Sequence, residues 1–293
     1  MSKTVRIFYP ASRGTKIPSA VLDTFKNITD DLIEIKPPDM SDWDFHAGSI
    51  SERAKILNQI LLDDELDVLV AGRGGYGASD LLPYLEWDLL RKAKHKIVVG
   101  YLDISALHSA LYTKLSWPSI HGPMPNTTYW GEADDPDIQE HMKTISGEMV
   151  SHSLTIDKTW GFSQASGTLF GGCLSVLSSL IGTPYIPEDL SGHVLFFEDI
   201  DEHPAKILRY TNQWIQSGLT NGVEHILIGN LSGLETFHYP KDKLCEEIHI
   251  RTGIPVSSLE LFGHCNPNFP IGIGSEGIIK NETLTWRDSN YES

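Results

Sequence analysis

Two glycine-rich turns hold the residues best suited to chemistry. One is Gly72-Arg-Gly-Gly-Tyr-Gly77 and the other is Gly100-Tyr-Leu-Asp-Ile-Ser105. Each follows an apolar run and leads into a helical pattern. Backbone N–H groups therefore converge where an anion, a carboxylate or an oxyanion would sit. Arg73 adds a planar fork that suits a carboxylate, or alternatively a structural pair with an acid such as Asp103. The first turn also matches the dinucleotide pattern G-x-G-x-x-G, which remains a remote alternative and predicts NAD(P) binding. Against it, the acidic residue expected at the end of the next strand lies further on, at Asp103, and the pattern recurs at Gly272–Gly277, where a hairpin is expected. No H-E-x-x-H and no spaced Cys/His set occurs, so no metal is expected.

The elements that position these turns follow from periodicity. Val5–Tyr9, Leu32–Lys36, Asp67–Ala71 and Lys96–Gly100 read as strands. Pro18–Ile28, the segment after Ser49, Leu81–Lys92 and Ile104–Leu115 read as helices. Ser49 with Glu52 forms a capping box ahead of a helix whose face carries Ile56, Leu57, Ile60 and Leu61. This alternation predicts a doubly wound parallel sheet, with ligands beyond the carboxyl ends of its strands. The second half changes character. Gly171-Gly172 opens a helix through Ile181, His193–Phe197 and Glu224–Gly229 are strands, Pro204–Ser217 and Lys241–Thr252 are helices, and Gly277–Trp286 is a hairpin. The fold class is α/β, with an N-terminal parallel domain over 1–150, a linker over 151–168, and a smaller, β-rich mixed α/β domain over 169–293.

Composition sets outer bounds. The chain has 293 residues, 40% hydrophobic and 21% charged, which suits one large domain or two ordinary ones with a real core. The 23 basic and 39 acidic residues leave a net charge of −16, which disfavours nucleic acid as a partner. No apolar run approaches a membrane span. Three cysteines, Cys173, Cys245 and Cys265, make no disulfide framework. The expected location is the cytoplasm.

The ordered motifs then point to a family. Arg73-Gly-Gly-Tyr-Gly77, Leu81-Leu-Pro83, Gly100-Tyr-x-Asp-Ile-x-Ala-Leu107, His121-Gly-Pro-Met124, Gly171-Gly172, Gly182-Thr-Pro184, Phe197-Glu-Asp-Ile200 with Glu202, and Gly263-His264 together resemble the LD-carboxypeptidases. These include the microcin-C-resistance peptidases. The resemblance spans nearly the whole chain. It implies a two-domain, often dimeric, cofactor-free hydrolase. Such an enzyme removes a terminal D-amino acid, typically from a cell-wall tetrapeptide, with a Ser-His-Glu triad. It implies Glu198 and His264 as two triad members. It implies oxyanion donors at the N–H of Asp103 and at Gly74 or Gly75. Arg73, Tyr101 and His121 are further candidates for substrate contact, with His121 alternatively locking the His-Gly-Pro-Met turn.

The sequence departs from that pattern at one point. The elbow reads Gly100-Tyr101-Leu102-Asp103, so leucine stands where the family has its serine. Leucine has no lone pair to attack a carbonyl and no proton for His264 to take. Ser105, Cys173 and Cys265 are the alternative nucleophiles, each with an ordinary structural role open to it. The resulting expectation is a homologue without serine-peptidase activity, its pocket repurposed for a peptide-like or amino-acid-derived ligand. The alternatives are a non-catalytic peptide-binding protein and a peptidase disabled by an engineered change at Leu102.

Overall fold

The computed structural model describes residues 2–35, 46–128, 130, 135–148 and 150–287. The first half alternates strands and helices: β1 (Thr4–Phe8), α1 (Ser19–Thr24), β2 (Asp31–Ile35), α2 (Ile50–Leu62), β3 (Val68–Ala71), α3 (Trp87–Leu90), β4 (Ile97–Gly100), α4 (Ser105–Leu115) and β5 (Ser119–His121). The strands pair in parallel, in the order β5-β4-β3-β1-β2. Val68, Val70, Ile97, Val99 and Ile120 pack on one face, and Leu69, Ala71 and Val98 pack on the other. Side chains alternate along a strand, so apolar residues at every position bury both faces. Ser49 caps α2, accepting the Glu52 N–H at 3.2 Å. Lys36, the expected end of the second strand, lies outside the described residues.

The second half supplies α5 (Pro136–Ile145), β6 (Ser151–Thr155), β7 (Lys158–Trp160), β8 (Ala165–Cys173), α6 (Leu174–Ser179), β9 (His193–Ile200), α7 (Pro204–Gln216), β10 (His225–Ser232), α8 (Lys241–Thr252), β11 (Val256–Ser258), β12 (Ile271–Ile273), β13 (Glu276–Lys280) and β14 (Thr283–Arg287). Among the described residues these build a second sheet in the order β6-β14-β13-β8-β9-β10-β11-β7. One strand crosses over. β12 pairs antiparallel with β5, on the edge of the first sheet. The C-terminal part of the chain therefore contributes to both sheets.

Three expectations differ from the structure for local reasons. The 151–168 stretch, expected as a connection, carries β6, β7 and the start of β8. In β6 the inward positions are His152 and Leu154, with the His152 ring stacked 4.8 Å from Trp286, and one aliphatic residue gives too weak an alternation to be seen. Leu81–Lys92 breaks into a 3-10 turn at Ser79–Tyr84 and the short α3. Pro83 lies in that turn, and Leu85 is extended. Gly171-Gly172 ends β8 rather than opening a helix. A Cβ on Gly171 would lie 1.8 Å from the Phe196 carbonyl oxygen, so a bare backbone is what lets β9 approach.

Ile273 has no exposed surface and joins β12 to the common core. Ile273→Ala is expected to destabilise the protein by about 2–5 kcal/mol. The urea midpoint checks this, and an unchanged midpoint would show that β12 does not anchor the two halves.

Candidate functional site

The site forms where β3 and β4 release the chain at their carboxyl ends. After β4, Tyr101 is still extended, but Leu102 takes a left-handed φ of 59° before the 3-10 turn Leu102–Ile104 leads into α4. A non-glycine residue held there is strained. A sharp strand-to-helix turn of this kind is the geometry of a nucleophile elbow, which lifts one side chain clear of the sheet. The glycine turn after β3 comes up against it. A Cβ on Gly74 would lie 2.7 Å from Cδ2 of Leu102 and 3.0 Å from its Cβ, so only glycine lets the two turns meet.

Two buried charges brace these turns. Asp103 accepts the Ala78 N–H at 2.7 Å and so ties the elbow to the glycine turn. Burial, with the Asp80 charge, pushes its carboxyl up to about 6, against the Ala78 and Gly77 N–H groups and Arg53. Arg53, on the inner face of α2, donates to the carbonyls of Gly77 at 2.7 Å, Gly48 at 3.1 Å, and Pro10. Arg53 was not anticipated, although helical spacing puts it on the stripe with Leu57 and Ile60.

Glu198 projects inward from β9 and has no exposed surface. Its Oε2 lies 2.6 Å from Nδ1 of His264, and its Oε1 lies 3.4 Å from Nε2 of His121. Burial alone would raise the Glu198 pKa. The His264 charge and the hydrogen bonds from His121 and His264 outweigh it and hold the carboxyl at about 2. Burial alone would lower the His264 pKa. The Glu198 charge and hydrogen bond, helped by Asp199 and Asp201, raise it instead. The His264 loop is held by Ser232, whose Oγ donates to the His264 carbonyl at 2.9 Å, and by Asn268, whose Oδ1 accepts the Gly263 N–H at 2.9 Å.

A cleft of about 460 Å³ opens over the elbow, lined among others by Lys16, Arg73, Gly74, Gly75, Tyr101 and Leu102. Leu102 thus points into the cleft rather than beneath it. The Tyr101 ring packs edge-on against His264, with centroids 5.0 Å apart. Glu198 and His264 are not part of the cleft lining, and neither is His121, which is fully buried behind Glu198. Arg73 is exposed and does not pair with Asp103. Lys16 lies in an irregular loop where the sequence offers no signal. Asn126, also unanticipated, joins two cleft segments by accepting the Thr15 N–H at 2.9 Å.

The alternative nucleophiles are engaged elsewhere. Ser105 Oγ accepts the Cys173 N–H at 2.9 Å. Burial, with the nearby Glu198 and Asp199 charges, pushes the Cys173 thiol well above its ordinary value. Cys265 donates to the Pro267 carbonyl at 3.1 Å, and burial pushes its thiol up to about 12. The dinucleotide alternative finds no support in the geometry. The Gly72–Gly77 turn leads into a 3-10 turn rather than a helix, and Asp103 is buried on a backbone N–H. The second match, Gly272–Gly277, runs between β12 and β13.

The LD-carboxypeptidase N-terminal domain model matches residues 5–122, and the C-terminal domain model matches residues 166–279. The chain belongs to the LD-carboxypeptidase family. It is 30% identical to the "Probable murein peptide carboxypeptidase" of Bacillus subtilis over 246 residues, 82% of this chain and 76% of that protein. It is 24% identical to the murein tetrapeptide carboxypeptidase of Pseudomonas aeruginosa, over 82% of this chain and 81% of the relative. The muramoyltetrapeptide carboxypeptidase of Oxalobacter formigenes shares the fold, with a TM-score of 0.84 at 23% identity over 99% of this chain and all of that one. So does the MccF protein in complex with glutamyl sulfamoyl guanosine, with a TM-score of 0.84 at 20% identity over all of this chain and 97% of that one. As in other LD-carboxypeptidases, two family domains are present. Among the described residues no helix is long and apolar enough to cross a membrane.

Two outcomes follow. The depressed Glu198 pKa means that ionised Glu198 stabilises the fold above pH 4.5, and that this contribution is lost as pH falls from 4.5 through about 2. The urea midpoint should therefore fall more steeply over that range in the wild type than in Glu198→Gln, and equal slopes would contradict the pairing. Native Cys265 should be alkylated by iodoacetamide at pH 8 at least ~100-fold more slowly than free cysteine. Mass spectrometry reads the rate, and alkylation at the free rate would reinstate Cys265 as a reactive thiol.

Proposed function

We propose that this LD-carboxypeptidase homologue has lost the serine mechanism and keeps its cleft for other chemistry on a peptide-like or amino-acid-derived ligand. The observation that carries this reading is a strained elbow with an inert side chain. Leu102 holds a φ of 59° and points at the glycine turn, yet offers neither a lone pair nor a proton. In a triad, removing the nucleophile leaves only what the oxyanion donors and binding supply, far below the intact rate. The branched leucine side chain also fills ground where an attacking water would stand. The Glu198–His264 pair supports an acid–base role for His264, with the carboxylate fixing the imidazole tautomer. Gly74, Gly75 and the Asp103 N–H are the proposed donors to a polarised carbonyl oxygen.

The cleft also suggests the charge of the ligand. Lys16 and Arg73 both line it, and among the described residues neither belongs to an ion pair, in a chain of net charge −16. A ligand carboxylate would answer them, with Arg73 offering its fork. That MccF is seen with glutamyl sulfamoyl guanosine supports an amino-acid-derived ligand here. On the family resemblance alone, the proposal extends to a homodimer in the cytoplasm.

A second reading, a peptide-binding protein without turnover, is favoured by the position of the Glu198–His264 pair outside the cleft lining. His264→Ala separates the two. In a repurposed enzyme it abolishes conversion of the ligand, and in a binding protein it leaves affinity within a few-fold. Calorimetry with a cell-wall tetrapeptide ending in D-alanine tests the ligand class. Its C-terminal carboxamide should bind about tenfold more weakly, the effect of one charge-assisted hydrogen bond, and Arg73→Ala should remove that difference. Equal affinity for acid and amide would overturn the carboxylate contact.

A further inference from the structure

Glu198 is held at both oxygens, and its second partner has no other polar role. His121 closes β5, the last parallel strand of the first sheet, whereas Glu198 belongs to β9 of the second sheet and His264 to the loop before β12. His121 has no exposed surface. Tyr101, Phe196 and Phe262 stand edge-on around its ring, with centroids at 6.1, 5.5 and 6.5 Å. Its Nδ1 meets no partner among the described residues, and its Nε2 faces only Oε1 of Glu198, at 3.4 Å. In that aromatic wall a phenylalanine would fill the same space. The one thing a histidine adds is a donor to the carboxylate.

The torsion that turns a carboxylate about its own bond is soft and broad. A single donor on one oxygen leaves it free to swing, whereas a donor on each oxygen fixes its plane. Oε1 without His121 would also be a buried acceptor with nothing to accept, and such a group rotates toward whatever donor is near. We propose that His121 is a positioning residue: it donates from Nε2 to Oε1 of Glu198, which aims Oε2 at Nδ1 of His264 and keeps His264 in a single Nδ1–H tautomer. This differs from the substrate contact that the sequence suggested for His121. It also holds whether or not the chain turns over any ligand, because it concerns the pair and not the elbow.

The test uses the full chain with 15N-labelled histidine. Two-bond 1H–15N spectra are recorded above the titration midpoint of His264, where ring tautomers are read directly. In the wild type, His121 is expected as the Nε2–H tautomer with a solvent-protected ring N–H, and His264 as Nδ1–H alone. His121→Gln keeps an N–H near the position of Nε2 and should leave the His264 signal unchanged. His121→Phe keeps the ring and removes the donor, and His264 should then show both tautomers. A folded His121→Phe variant with His264 still wholly Nδ1–H would overturn the proposal. So would a wild-type His121 protonated at Nδ1, and that spectrum decides the matter even if His121→Phe does not fold.

Discussion

A carboxylate with no contact to water must be met by donors that the fold itself supplies, and Glu198 imposes that demand on the whole molecule. An unpaired buried charge costs several kcal/mol, whereas one with well-placed partners is tolerated. Glu198 stands on β9 of the second sheet, and its partners come from two other places: β5 of the first sheet, and the loop that returns the chain to the first sheet as β12. The two sheets are therefore held in one relation by a polar contact as well as by packing. The crossover of β12 follows the same logic, since it carries the chain from the His264 loop straight onto β5, next to His121.

The elbow is the second constraint, and it works against stability. A left-handed residue with a side chain is strained by roughly 1–2 kcal/mol, and backbone strain of this kind collects at functional sites. Gly74, Asp103 and Arg53 over-determine the turn: one lets the elbow approach, one ties it to the Ala78 N–H, and one braces the Gly77 carbonyl. In a serine hydrolase that strain presents the nucleophile. Here it presents a leucine, and on the proposed reading the machinery around the position outlasts the atom it would serve.

Much of the frame was readable from the chain. The β3 and β4 runs are apolar at every position because both faces are covered, and Lys241–Thr252 is helical as its spacing predicts. The β6 strand was not readable because its inward residues are a histidine and one leucine, and the role of Trp286 in covering that histidine depends on a contact 134 positions away. The motifs pointed to Glu198, His264 and His121, but not to the order in which they touch. Only the geometry puts His121 behind Glu198 rather than in the cleft. Lys16 and Asn126 had no signal, since loop residues acquire a role only when the loops meet. The sequence also left open whether Leu102 faces the cleft, which depends on its backbone angle and not on its type.

On the proposed reading, the other parts of a hydrolase site remain in place around a nucleophile position that Leu102 leaves vacant. The most direct measurement is mass-spectrometric release of D-alanine from a cell-wall tetrapeptide by the wild type and by Leu102→Ser. The expected result is no release by the wild type, and release by Leu102→Ser that disappears when His264→Ala is added. Release by the wild type would contradict the claim, because another nucleophile or an activated water would then be at work. Failure of a folded Leu102→Ser to release any D-alanine would contradict it from the other side, by showing that the site has diverged beyond its elbow.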